Sequence, residues 1–235
     1  MKTLVLGGTA EARHLSEVLG HTAVLSLAGM TRTPLSTPHR VGGFGGVEGL
    51  KAYIQQEDIQ CIIDATHPFA AQMSRNAFKA QQALGVPLLR LERPPWVPAP
   101  TWLMVNDLLQ AAAAIPLGAR AFLSVGSQSL SAFLGREDMW YLTRSIEPPS
   151  QAPRHGICLL QRPPFLLADE KALMKTHQIT HLVSKNAGGA ATQAKLEAAA
   201  SLGVNVIMVK RPRLPAVLTV ETVAEAVKWV GKLGA

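Results

Sequence analysis

Long apolar runs, cysteine, aromatic side chains and clustered charge are all scarce in this chain, and each scarcity removes a class of function. The apolar runs are strand-sized, and none reaches the ~20 residues that a membrane-spanning helix needs. The start, Met1-Lys2-Thr3-Leu4-Val5-Leu6-Gly7-Gly8, has too short an apolar part for a secretory leader and breaks into a glycine turn. A cytosolic protein is therefore expected. The two cysteines, Cys61 and Cys158, lie in apolar contexts without metal-type spacing, so neither a disulfide framework nor a zinc site is indicated. Aromatics make up 5% of the chain, and no block of Lys or Arg accompanies them. A nucleic-acid groove usually shows both stacking rings and clustered cations. Tyr-x-x-x-Lys, the catalytic pair of many nucleotide-dependent reductases and epimerases, is missing at Tyr53 and Tyr141.

What the chain does have is a net charge of +7 spread thinly. Arg13, Arg32, Arg40, Arg75, Arg90, Arg93, Arg144, Arg154, Lys185, Lys195, Arg211 and Arg213 are scattered, and many fall at expected strand ends. That distribution suits a polyanionic small ligand better than a nucleic acid. A hydrophobic content of 48% over 235 residues is enough to fill one large or two small cores.

β-type runs alternate with helical patterns along the whole chain, which implies parallel sheets, because each crossover helix returns the chain to the same end. Leu84-Gly85-Val86-Pro87-Leu88-Leu89 and Arg93-Pro94 recur as Leu202-Gly203-Val204-Asn205-Val206-Ile207 and Arg211-Pro212, an offset of 118 (202 − 84 and 211 − 93). The same shift lays Gly8-Thr9 on Gly126-Ser127 and Thr66-His67 on Ser184-Lys185. The expected fold class is α/β: two Rossmann-like parallel-sheet domains related by internal duplication, with an inter-domain cleft. The expected domains are 1–117, binding a nucleotide, and 118–235, binding substrate. Pro94–Met104 reads as a loop ahead of the join.

Gly7-Gly8-Thr9-Ala10-Glu11-Ala12-Arg13 lies between the first strand and the first helix. Glycine there lets backbone approach a phosphate, and the helix N-terminus offers unpaired N–H groups. The Thr9 hydroxyl can add a donor. The segment lacks the full G-x-G-x-x-G pattern, so an ordinary tight turn is the competing reading. After the second strand comes Gly29-Met30-Thr31-Arg32-Thr33, with no acid and with Arg32. In dinucleotide folds an acid there selects NAD, whereas an Arg accommodates the 2′-phosphate of NADP. Gly42-Gly43-Phe44-Gly45-Gly46 is too glycine-dense for a strand interior. It is either a backbone surface lying against a ligand, with Phe44 offering a face, or a surface loop.

Ile62-Ile63-Asp64-Ala65-Thr66-His67-Pro68-Phe69 carries an apolar strand abruptly into polar groups. Parallel α/β sheets bind ligands at such carboxyl ends. His67 can donate a proton and Asp64 can orient it; a rigid His-Pro turn that merely starts a helix is the alternative. In the second half, Ser184-Lys185-Asn186-Ala187-Gly188-Gly189 places a cation and a close-approach glycine pair after a strand. Lys185 suits an anionic substrate or a developing negative charge. Ser127, in the mirror of the first glycine turn, is expected to receive a substrate carboxylate.

In order along the chain, Gly7-Gly8-Thr9-x-Glu11-x-Arg13, Gly42-Gly43-Phe44-Gly45-Gly46, Asp64-Ala65-Thr66-His67-Pro68-Phe69-Ala70, Arg90-x-x-Arg93-Pro94-x-Trp96, Lys185-Asn186-x-Gly188-Gly189 and Arg211-Pro212 together resemble the precorrin-6A reductase family of cobalamin biosynthesis. The resemblance spans nearly the whole length. Two departures stand in the second half: Arg162-Pro163-Pro164-Phe165, where the family often has Gly-Pro-Phe, and Ala187, where it often has Ser. The resemblance implies NADPH-dependent reduction of one macrocycle double bond of precorrin-6A, giving precorrin-6B. It implies a tetrapyrrole substrate and allows neighbouring cobalamin-pathway enzymes as partners. A cobalt-containing substrate, as in the anaerobic relatives, and a non-catalytic NADP-binding sensor are the alternatives. The cofactor would be held by Gly7, Gly8, Thr9, Arg13, Arg32, Gly43, Phe44 and Thr66. Substrate would be held by Ser127, Lys185, Asn186 and Gly188, with Asp64, His67 and Lys185 as the catalytic candidates and no metal.

Overall fold

A computed structural model describes residues 1–29 and 37–234. Arg32 lies outside the described residues. Two units emerge, Met1–Pro94 with Pro212–Ala235, and Pro95–Arg211. This division differs from the expected 1–117 and 118–235, and the reason is in the strand pairing.

The first unit holds a six-stranded, all-parallel sheet. Its strands are β1 (Thr3–Leu6), β2 (Ala23–Leu27), β3 (His39–Val41), β4 (Cys61–Asp64), β5 (Leu88–Leu91) and β12 (Leu218–Val220), in the order β12-β5-β4-β1-β2-β3. Helices α1 (Ala10–Leu19) and α7 (Val223–Leu233) cover one face. Helices α2 (Val47–Gln56) and α3 (Ala71–Leu84) cover the other. Burial on both sides explains why the strands read as continuous apolar runs. Along β1, Val5 packs under α1 and α7, while Leu4 and Leu6 join Leu50, Ile54 and Ala77 on the opposite face.

The second unit repeats the plan with β6 (Trp102–Val105), β7 (Arg120–Ser124), β8 (Trp140–Ser145), β9 (Gly156–Leu160), β10 (His181–Lys185) and β11 (Asn205–Val209), ordered β6-β11-β10-β7-β8-β9, all parallel. Its helices are α4 (Leu108–Ala114), α5 (Leu167–Thr176) and α6 (Ala194–Leu202). Phe122, Leu142, Leu182 and Val206 from the strands meet Met174 from α5 and Leu196 and Ala199 from α6.

The two edge strands are exchanged. After β5 the chain does not add its sixth strand to the first sheet; β6 pairs with β11 of the second. Reciprocally, β12 leaves the second half and pairs with β5. Each sheet thus takes its outermost strand from the other half of the sequence, which moves both boundaries away from residue 117.

The 118 offset also has a break in it. Thr3 pairs with Ala23 and Ala121 with Tyr141, so the shift is 118 at β1 and β2. Leu6 pairs with Asp64, however, and Ser124 with Ser184, a shift of 120 at β4 (184 − 64). Among the described residues, the two non-glycine residues with left-handed backbone, Asp58 and Gln178, are also 120 apart. The structural counterpart of Asp64 is therefore Ser184, and that of Thr66 is Asn186. The expected superposition of Thr66-His67 on Ser184-Lys185 is two residues out of step.

Candidate functional site

In the first unit the strand order reverses direction between β1 and β4, so the segments leaving these two strands diverge and leave a crevice. Gly7-Gly8-Thr9 leaves β1 and Ala65-Thr66-His67 leaves β4. The crevice between them is lined by Thr9, Glu11, Thr66, Pro68 and Arg93 among others.

The two glycines of the turn do different work. A Cβ on Gly7 would stand 2.7 Å from Leu25 Cδ1, so this position is closed by packing against β2. Gly8 has φ +128 and nothing within 4 Å of a notional Cβ; its conformation calls for glycine and its surroundings are open. Thr9 caps α1: its Oγ1 accepts from Ala12 N–H (3.1 Å) and donates to Ala65 O (2.8 Å). The hydroxyl expected as a ligand donor is thus spent on the fold, tying the start of α1 to the end of β4. Arg13 is half-buried in the first turn of α1. Arg93 Nη1 reaches both oxygens of Glu11 (3.0 and 3.2 Å) and neutralises the carboxylate beside the helix N-terminus.

Asp64 does not face a ligand. It is 2% exposed, and its Oδ1 accepts from the Thr66 hydroxyl (2.7 Å) and backbone N–H (3.3 Å). Its Oδ2 stands 3.5 Å from Arg90 Nε in a buried ion pair, and Arg90 donates to Pro215 O (3.2 Å). Asp64 therefore fixes Thr66 rather than orienting His67. The Thr66 proton is committed to Asp64, so toward any ligand Thr66 Oγ1 acts as an acceptor. His67 Nδ1 accepts from Phe69 N–H (3.2 Å), so a neutral ring carries its proton on Nε2.

The glycine-rich segment is fastened by Arg40. Its Nη1 donates to Ser26 Oγ (2.9 Å) and Gly42 O (2.8 Å), and its Nη2 donates to Gly43 O (3.1 Å). The guanidinium lies 3.9 Å over the Phe44 ring, which also packs edge-on against Tyr53 and the core below. Phe44 is thus occupied by Arg40 and the core; it is Gly43, exposed, that faces outward.

In the second unit, Lys185 Nζ donates to Ser129 Oγ at 2.6 Å. Burial of the ammonium lowers the Lys185 pKa from 10.5 to about 8. Ser127 opens a 3-10 turn (Ser127–Phe133) after Gly126, and two residues on that turn presents Ser129 to the lysine. Asn186 is 6% exposed and brackets the Trp96 backbone, accepting from its N–H (2.8 Å) and donating to its carbonyl (3.0 Å). Its side chain locks the entry to this unit instead of reaching for substrate. Arg211 holds the same turn from the other end through Asn186 O (2.9 Å) and Ala187 O (3.1 Å). Gly188, buried with φ +69, completes the bend. Elsewhere in the second unit, Arg144 and Glu170 form a bidentate buried pair (2.5 and 2.8 Å), with Phe165 stacked 3.7 Å from the guanidinium.

Arg40, Arg90 and Arg144 were legible only as scattered cations, with no site role assigned to them, to Ser129 or to Glu170. Asp64 and Arg90 are register partners across β4 and β5, and that pairing is the signal that could have found Arg90. Lys185 and Ser129, 56 residues apart, leave none.

A parallel sheet with a glycine turn opening into its switch-point crevice, built twice, defines a two-unit α/β protein of Rossmann type. Comparison with known proteins narrows this: the chain belongs to the family described as precorrin-6x reductase CbiJ/CobK, whose model matches residues 2–231. It is 48% identical to "Precorrin-6A reductase" of Rhodococcus erythropolis, over 99% of this chain and 98% of that protein. A solved structure, "CobK precorrin-6A reductase", superposes with a TM-score of 0.91 at 43% identity, covering 100% of this chain and 98% of that one. "Cobalt-precorrin-6A reductase" of Synechocystis is more distant, 30% identical over 89% of this chain and 88% of that protein. Among the described residues no helix is long and apolar enough to cross a membrane.

Proposed function

We propose that this protein is an NADPH-dependent reductase that saturates one ring double bond of precorrin-6A, giving precorrin-6B. The observation that carries the reading is the crevice between β1 and β4 in a chain of this family. The open, positive-φ Gly8 and the following helix start suit a pyrophosphate held by backbone N–H groups. Neutralisation of Glu11 by Arg93 removes the repulsion such an anion would otherwise meet. A reduced nicotinamide supplies a hydride when bound there.

The protein's own part is to bind, orient and supply a proton. Thr66, acceptor-only, favours a ligand N–H or O–H beside it. His67 offers Nε2–H. Lys185, with a pKa of about 8, is mostly charged at neutral pH. It can hold a carboxylate of the macrocycle and is matched for giving up a proton to a ring carbon. Ser127, next to the Ser129 that steadies Lys185, is assigned to the same carboxylate subsite.

The higher identity to a precorrin-6A reductase than to the cobalt-precorrin enzyme favours the metal-free substrate. The test is anaerobic turnover with precorrin-6A and cobalt-precorrin-6A side by side, each with NADPH and NADH. Loss of nicotinamide absorbance matched to tetrapyrrole bleaching, fastest with precorrin-6A and NADPH, is expected. NADPH binding without turnover of either macrocycle would support the sensor alternative.

A further inference from the structure

Near the carboxyl ends of five strands in the first unit, residues form one transverse row: Arg90, Asp64, Leu6, Ser26 and Arg40 are successive register partners from β5 to β3. Arginines stand at both ends of that row, and they differ in one respect. Arg90 is paired with Asp64. Arg93, just beyond β5, is paired with Glu11. Arg40 is bonded only to a hydroxyl and two peptide carbonyls, and among the described residues no carboxylate pairs with it. Three of its five N–H groups are used in these bonds, leaving Nε–H and one Nη2–H.

The position matters as much as the charge. Arg40 is bonded to Ser26 at the end of β2, where dinucleotide folds read the 2′ substituent of the adenosine ribose. An acid there would accept the 2′-hydroxyl; the described part of 23–29 contains none. The guanidinium is also held still: three bonds and the Phe44 ring 3.9 Å away fix its plane before any ligand arrives. A fixed fork loses little entropy on binding a phosphate. The second unit supplies a contrast. Arg144, which follows Thr143 of β8 and is the counterpart of Ser26 by the 118 offset, is closed off by Glu170. The register partner of Arg144 on β9, where the first unit has Arg40, is Leu159.

We infer that Arg40 is a specificity-determining residue that receives a 2′-phosphomonoester on an adenosine ribose. The inference rests on the proposed dinucleotide-dependent function and names the group that selects the cofactor. Calorimetric titration of the full chain with 2′,5′-ADP, 5′-AMP, NADP⁺ and NAD⁺ tests it, with Arg40→Gln as the main variant, because glutamine keeps a donor for the glycine carbonyls and removes the charge. Wild type should bind 2′,5′-ADP more tightly than 5′-AMP. Arg40→Gln should lose roughly 10- to 100-fold for 2′,5′-ADP and NADP⁺, the worth of a charge-assisted hydrogen bond or two, and leave 5′-AMP and NAD⁺ unchanged. Equal loss for both ligand pairs, or no loss, overturns the assignment, as does an effect confined to Arg32→Gln run in parallel. Should the glutamine variant lose its cooperative melt, Arg40→Lys decides: it keeps the charge but not the fork, a several-fold fall for 2′,5′-ADP alone is expected, and no fall overturns the inference. A wild-type protein that binds neither dinucleotide sinks the reductase reading as well, and so is distinct from failure at Arg40.

Discussion

Replacing Lys185 by Met should make the protein more stable at neutral pH. Burial lowers the lysine pKa from 10.5 to about 8, a difference of about 2.5, and each pKa unit is worth about 1.4 kcal/mol. Keeping the ammonium in place at pH 7 therefore costs about 3 kcal/mol, which solvent at a half-buried position trims to about 2 kcal/mol. Loss of the Lys185–Ser129 bond offsets roughly 1 kcal/mol of the gain. A net gain on the order of 1 kcal/mol at pH 7 remains. The sign with pH is fixed by linkage. Between about pH 8 and pH 10.5 the unfolded chain holds a proton on Lys185 that the folded chain has released, so wild-type stability rises across that window. The advantage of Lys185→Met should shrink over the same range and reverse near its upper end. Urea unfolding followed by tryptophan fluorescence at pH 7, 8.5 and 10 measures this, and unchanged m-values would show that the shift in midpoint is a shift in stability. A gain independent of pH, or a variant destabilised most at pH 7, would refute the reasoning. The same substitution should weaken tetrapyrrole binding and leave NADP⁺ affinity unaltered, which would identify the strain at Lys185 as retained for binding.

Three further outcomes follow from the packing. Arg144→Met or Glu170→Leu alone should cost about 3–5 kcal/mol by stranding a buried charge, while the double variant should recover most of it; chemical denaturation of all four proteins gives the cycle. Gly49→Ala would put a Cβ 1.7 Å from Phe44 O, so the glycine-rich segment must move, and limited proteolysis should cut near residues 42–46 in the variant only. Thr9→Val removes both the helix cap and the link to Ala65 O and should lower stability by about 1–2 kcal/mol, whereas Thr9→Ser should keep most of it; thermal melts separate the two.

Much of this architecture was legible in the chain because both faces of each sheet are buried, and strands of that kind read as apolar runs between helical patterns. The glycine turn after β1 and the polar end of β4 were legible as strand ends for the same reason. Three things were hidden. β6 and β12 are short edge strands, and nothing local in Trp102–Val105 or Leu218–Val220 says which sheet will accept them. Asp64 carries the same letter whether it faces substrate or a buried arginine; only its register against Arg90 decides. Ser127 was preferred to Ser129 because the 118 offset lays it on Thr9, whereas the 3-10 turn delivers Ser129 to Lys185.

The most direct measurement uses NADPH deuterated at either face of nicotinamide C4, with precorrin-6A under anaerobic conditions, and mass spectrometry of the reduced tetrapyrrole. One diastereomer should give a product carrying one deuterium and the other a product carrying none. Deuterium absent from both products, or a macrocycle left unreduced while NADPH stays bound, would contradict the account.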